Sequence, residues 1–194
     1  MLREPITSGM GSCRQLKQLL AEALARHGAG QAELATLPGD EMPEPYRRLL
    51  VHDADMTSTL KRFHEDTLSL KVLHLEVLET ELQREVLLCR DLDRRPVEYG
   101  VIRIVLTAFE LPAREAILEG AVPLGQILDT FGVEYVSQPN EYFQLGSNAY
   151  IGSCLADGDE ADRFGRVNTL SQPSGGTLAE VVEILPVVAF DSAD

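Results

Sequence analysis

Leu82-Gln83-Arg84-Glu85-Val86-Leu87-Leu88-Cys89-Arg90 and Val97-Glu98-Tyr99-Gly100-Val101-Ile102-Arg103-Ile104-Val105-Leu106-Thr107 are two apolar runs. The connection between them, Asp91-Leu92-Asp93-Arg94-Arg95-Pro96, is rich in charge and ends on proline. Turn chemistry between two apolar runs predicts a β-hairpin. Just upstream, Leu68, Leu70 and Val72 alternate with Ser69 and Lys71, the period-two pattern of another strand.

Working outward from this hairpin, helices come next. Pro112 opens and Gly120 closes one short helix, and Pro123 to Phe131, closed by Gly132, frames a second. Val133–Val136, Glu141–Leu145 and Tyr150–Leu155 read as weaker strands. Arg163–Leu170 and Thr177–Phe190 then form a final hairpin across Gln172-Pro173-Ser174-Gly175-Gly176. On the N-terminal side, Leu16, Leu19, Leu20, Ala23 and Leu24 follow helical spacing, with Gly28 as the stop. The first dozen residues read as a loose tail, and Gly28 to Pro45 as a surface linker. Pro45 starts a short helix through Leu50, and Asp53 or Asp55 caps another from Met56 to His64. The sum is α+β, an antiparallel sheet with helices inserted in its middle and at its N-terminus. Residues 1–44 are an N-terminal helix and linker, and residues 45–190 the main domain.

The chain has 194 residues with 17 Lys plus Arg and 31 Asp plus Glu, a formal net charge of -14. An acidic field repels nucleic acid and anionic lipid, and no basic cluster with interleaved aromatics offsets it. Nucleic acid and membrane are therefore not expected partners, and no apolar run reaches the length of a membrane span. An anionic small molecule would need arginines that create a local positive site. Cys13, Cys89 and Cys154 are widely spaced without a CxxC pair, which argues against a zinc knuckle and fits a reduced, cytoplasmic setting. Cys89, within Val86-Leu87-Leu88-Cys89, reads as core. No signal peptide is expected at the N-terminus.

The usual catalytic signatures are missing. His27, His52, His64 and His74 form no metal-ligand array, and no GxSxG is present. Ser8-Gly9-Met10-Gly11-Ser12 lacks the GK[ST] of a phosphate loop and reads as flexible tail. His52 with Asp53 and Asp55 looks like a ligand cluster on paper, but capping is the better account of the aspartates. What remains are charges on apolar strands: Arg84, Arg103 and Glu183. Alternation leaves two readings for each, a solvent-side residue or a charge held inside a cavity. A buried charge is costly unless it is paired or meets a ligand.

Several segments resemble the chorismate lyase family (chorismate pyruvate-lyase, 4-hydroxybenzoate synthase), in its actinobacterial-type branch. They are Leu49-Leu50-Val51-His52-Asp53-Ala54-Asp55-Met56-Thr57, Gln83 to Cys89, Pro123-Leu124-Gly125-Gln126-Ile127-Leu128, Phe164-Gly165-Arg166 and Val182-Glu183-Ile184-Leu185-Pro186. Their order and spacing match the family from Pro45 to Pro186. The resemblance implies an antiparallel sheet carrying helices around an enclosed ligand cavity. It implies a cofactor-free, metal-free lyase that converts chorismate, a small dianion, to 4-hydroxybenzoate and pyruvate. In that scheme Arg84 grips the ring carboxylate, backbone N–H groups of Met56 and Leu124 share it, and Glu183 faces the ring hydroxyl. Arg166 and Arg103 are candidates for the enolpyruvyl carboxylate. One departure concerns Gly100-Val101-Ile102-Arg103, where the best-known branch has an arginine directly after the glycine. Arg103 faces the same side as Val101 and is expected to substitute.

The chemistry suits these residue types. Loss of pyruvate and a ring proton makes the ring aromatic, so binding, orientation and proton movement suffice. Arginine forks onto a carboxylate, and helix starts offer N–H groups to it. Two alternatives come from the same scaffold. One is a ligand-sensing domain that binds a small molecule without reacting it, and the other is a lyase for a related enolpyruvyl compound.

Overall fold

The computed structural model of the protein describes residues 8–158 and 162–188. In chain order the elements are α1 (Ser8–Arg26), β1 (Leu34–Leu37), α2 (Tyr46–Leu50), α3 (Met56–His64), β2 (Leu68–Val77), β3 (Glu81–Arg90), β4 (Pro96–Val105), α4 (Leu111–Glu119), α5 (Leu124–Phe131), β5 (Val136–Leu145), α6 (Ala149–Leu155), β6 (Arg163–Ser171) and β7 (Thr177–Leu185). The seven strands form one sheet in the order β1-β5-β6-β7-β4-β3-β2, with every neighbouring pair antiparallel. The architecture is α+β, as the hairpin pattern predicts. The β3–β4 hairpin lies inside the sheet, flanked by β2 and β7, which is why both of its strands are apolar along much of their length.

The register assigns each side chain to a face. Leu87, Tyr99 and Ile184 are successive partners across β3, β4 and β7, as are Val101 and Val182. They point to the face covered by α1 and α6, where Leu19, Leu20, Ala23, Leu24, Ile151 and Leu155 complete a core. The opposite face carries Val86, Gly100 and Glu183 as one row, and Arg84, Ile102 and Val181 as the next. Here α4 and α5 cover one end of the sheet, through Ala113, Ile117, Leu124, Ile127 and Leu128. The α2–α3 segment covers the other end, through Tyr46, Leu49, Leu50, Met56 and Leu60. Two helical groups on one face leave a gap between them, and the polar residues of that face stand in it.

Four local readings are corrected by the structure. Residues 8–12 begin α1 rather than a loose tail. The linker contains β1, whose Leu34 pairs with Leu145 at the sheet edge, so residues before 45 are part of the same sheet. Val133–Val136 and Glu141–Leu145 are replaced by one strand, β5, with an irregularity between Pro139 and Glu141. Tyr150–Leu155 is helical: the Asn148 side chain accepts from the Ile151 N–H, and Ala156 ends the helix in the left-handed region at φ 55°. Cap chemistry outweighs the strand-like composition of so short a segment.

Candidate functional site

The gap is a pocket with a volume of about 70 Å³. Its floor is the sheet: Leu70 from β2, Arg84, Val86 and Leu88 from β3, Glu98, Gly100 and Ile102 from β4, Val181 and Glu183 from β7, and Asn168 and Leu170 from β6. Its roof is two helix starts, Asp55-Met56-Thr57 at α3 and Pro123-Leu124-Gly125 at α5. Both starts are local consequences of sequence. Asp55 caps α3 by accepting from the Ser58 N–H at 2.7 Å. Pro123 precedes α5 and makes no side-chain cap, which leaves the first N–H groups of that helix without one. The two starts nearly touch, since a Cβ on Gly125 would lie 3.2 Å from Asp55 Oδ1. Gly100 leaves room in the floor, where a Cβ would meet Val86 at 3.2 Å and Glu98 Oε1 at 3.3 Å.

Arg84 is 2% exposed. Its Nη1 reaches the Val122 carbonyl at 3.4 Å, just before the α5 start, and its Nε has no hydrogen-bond partner. Among the described residues no carboxylate forms an ion pair with it. Burial alone pushes its guanidinium down to about 10, the mark of a charge that has lost water and gained no anion. An anion placed at Arg84 would also face the positive end of α5.

Glu183, 5% exposed, is held differently. The Arg166 Nε donates to Glu183 Oε2. Arg166 is fully buried and also donates to the carbonyls of Leu50 at 3.1 Å, His52 at 2.9 Å and Ala54 at 3.3 Å. One guanidinium thus ties the sheet to the segment that leads into α3. Burial first, then the Arg166 charge, lowers the His52 pKa. His52 accordingly serves as neighbour to this tie, and among the described residues no group of three or more His, Cys, Asp or Glu is placed to hold a metal ion.

Glu98 was not singled out by sequence. It is 5% exposed, lines the pocket and leaves Oε2 without a hydrogen-bond partner. Burial, reinforced by the Glu183 charge, holds its carboxyl well above the usual carboxylate range. The available signal was parity: Glu98 is two residues from Gly100 and four from Ile102, on the face that carries Arg84.

Of the residues expected at a site, Arg84, Glu183, Met56 and Leu124 line this one pocket. Arg166 stands behind Glu183 and is engaged by it. Arg103 is the correction. It shares the face of Val101, as alternation requires, but that is the face under α1 and α6, and its Nη2 donates to Glu180. It is turned away from the pocket and is not placed to bind a second carboxylate there.

No protein-family model matches the chain, and no curated protein does. Solved structures do. PhnF from Mycobacterium smegmatis is 11% identical with a TM-score of 0.54, over 90% of this chain and 80% of that one. The gene product SA0254 from Staphylococcus aureus is 9% identical with a TM-score of 0.52, over 71% of this chain and 92% of that one. A domain from Bordetella bronchiseptica, named as the ligand-binding domain of a GntR-family transcriptional regulator, is 13% identical with a TM-score of 0.49, over 66% of this chain and 92% of that one. At such identities the first two likenesses establish a shared fold.

Proposed function

We propose that this chain is a binding domain for a small organic acid, held by one carboxylate at Arg84. The observation that carries this reading is the buried guanidinium without an acid partner, set beside the uncapped start of α5. An anion bound at Arg84 would offset the cost of desolvating its unpaired charge. The mostly apolar lining with a few convergent polar groups suits a small organic molecule. The charges favour binding over turnover of a dianion. Among the described residues that line the pocket, Arg84 is the one arginine, Arg166 is engaged by Glu183, and Arg103 lies on the other face. A second carboxylate would therefore meet Glu98 and Glu183 rather than a cation.

A second reading retains the lyase chemistry. It is favoured by the meeting of Arg84, Met56, Leu124 and Glu183 around one pocket. In this reading Arg84 and the two helix starts orient the ring carboxylate, and Glu183 assists proton movement at the ring hydroxyl.

The test is calorimetry with benzoate, 4-hydroxybenzoate and chorismate, together with chromatography of a chorismate incubation. The receptor reading expects monocarboxylates to bind without product, and Arg84→Ala to raise Kd by roughly thirtyfold, the loss of a charge-assisted contact of about 2 kcal/mol. Equimolar 4-hydroxybenzoate and pyruvate, lost in Arg84→Ala, would establish the lyase instead. Absence of both binding and product would remove both readings.

A further inference from the structure

Resting on the carboxylate-receptor reading, the geometry points to a zwitterionic ligand, whose amine sits at Glu98 and Glu183 while its carboxylate sits at Arg84. Glu98 is the residue that selects the amine.

Three observations carry this. First, the pocket has two orphaned polar groups of opposite need. Arg84 Nε lacks an acceptor, and Glu98 Oε2, in a side chain 5% exposed, is a buried oxygen without a donor. Such unpartnered buried groups are rare in folded proteins, and a ligand is one way to complete them. Second, the register separates them. Arg84 is the partner of Ile102, four residues from Glu98 on β4, so their Cα rows are roughly 13 Å apart at the usual strand rise. Glu183 pairs with Gly100, between those rows, and Glu98 Oε1 lies 3.3 Å from where a Cβ on Gly100 would stand. Third, the charges are unequal. The groups that act electrostatically on Glu98 are Glu183 from β7, Arg166 from β6 and Asp55 from the start of α3, two acids against one base. Arg84, from β3, faces the other end of the same pocket. A cation at the Glu98 end and an anion at the Arg84 end are the electrostatic complement of this arrangement.

Burial and the Glu183 charge both oppose ionisation of Glu98. An ammonium beside it favours the carboxylate form, and a hydroxyl in the same place brings no such charge. Glu98 is therefore expected to distinguish an amine from a hydroxyl.

The experiment is titration calorimetry on the full chain at neutral pH. The probes are 4-(aminomethyl)benzoate, 4-(hydroxymethyl)benzoate and benzoate, against the wild type and Glu98→Gln. The expected result is a preference of at least about tenfold for the amine over the hydroxyl. That preference should collapse to within about twofold in Glu98→Gln. Benzoate binding to the variant checks its fold; if the variant does not fold, the wild-type preference decides alone. Equal or tighter binding of the hydroxyl overturns this inference and leaves the receptor reading intact. If wild-type protein binds none of the three, the receptor reading fails with it.

Discussion

At the residue scale, Arg84 sets stability against the proposed binding. Its guanidinium is buried and pushed down to about 10 by desolvation, so the folded state carries a charge it does not satisfy. Arg84→Met keeps much of the side-chain length and removes that charge. The variant is expected to gain on the order of 1–3 kcal/mol, seen as a thermal midpoint higher by roughly 2–4 °C per kcal/mol, while losing carboxylate binding. A lower midpoint would show that Arg84 already has its partner within the protein. Glu98 makes a second prediction, on pH. Its folded carboxyl titrates well above the usual range, so the folded state holds a proton that the unfolded chain releases. The contribution of Glu98 to stability is therefore complete below the unfolded value and falls as pH rises through the window up to the folded one. Glu98→Gln stays neutral, so its advantage in urea denaturation should grow as pH rises above the usual carboxylate range; a constant difference would mean that the folded carboxyl titrates in that ordinary range. Sequence exposed Arg84 and Glu183 because a charge in an apolar strand breaks its pattern. It misplaced Arg103, since alternation relates Arg103 to Val101 without saying which helices cover that face. Glu98 escaped notice beside Tyr99 and Gly100, where its polarity reads as the ordinary start of a strand.

At the element scale, legibility follows the strength of local signals. The β3–β4 hairpin, α4 and α5 were readable from turn residues, Pro112, Pro123 and the left-handed Gly120 and Gly132. α6 was not, because Tyr150-Ile151-Gly152-Ser153-Cys154-Leu155 is too short for period to decide. Its Gly152 looks like a breaker but serves packing: a Cβ there would overlap the Gly158 carbonyl oxygen and lie 2.8 Å from Arg163 Nη2. Alanine at this position gains about 1 kcal/mol of intrinsic helix propensity, and overpacking costs about 1–3 kcal/mol or more. Gly152→Ala is therefore expected to destabilise the protein in denaturant titration despite the better helix former. A more stable variant would show that the turn after α6 yields at little cost. β1 was hidden for another reason: Leu34 pairs with Leu145 across most of the chain, and such a pairing leaves no mark within a four-residue strand.

At the scale of the whole molecule, the sheet separates an anchoring face from the face that carries the pocket. On the anchoring face, Glu85 is fully buried and accepts from Tyr99 at 2.9 Å and Tyr150 at 2.6 Å, while His27 at the end of α1 lies 3.0 Å from its other oxygen. These contacts hold α1 and α6 to the sheet. On the pocket face, the comparable tie is Arg166, which joins Glu183 of β7 to the carbonyls of Leu50, His52 and Ala54. Its loss should act locally first, because those carbonyls belong to the segment that delivers the α3 start to the pocket. Arg166→Met leaves Glu183 buried without its cation, a change costing on the order of 3–5 kcal/mol for a broken buried pair, and releases the roof. Hydrogen exchange should then quicken around residues 50–58 more than in α1 or α6, and carboxylate affinity should fall although Arg84 is unaltered. Ligand present at about 100 times Kd should restore only part of the protection, since binding adds about 2.7 kcal/mol to the folded state at that ratio. Uniform quickening across both faces would mean that Arg166 supports the whole sheet, and that the pocket roof has no separate tie.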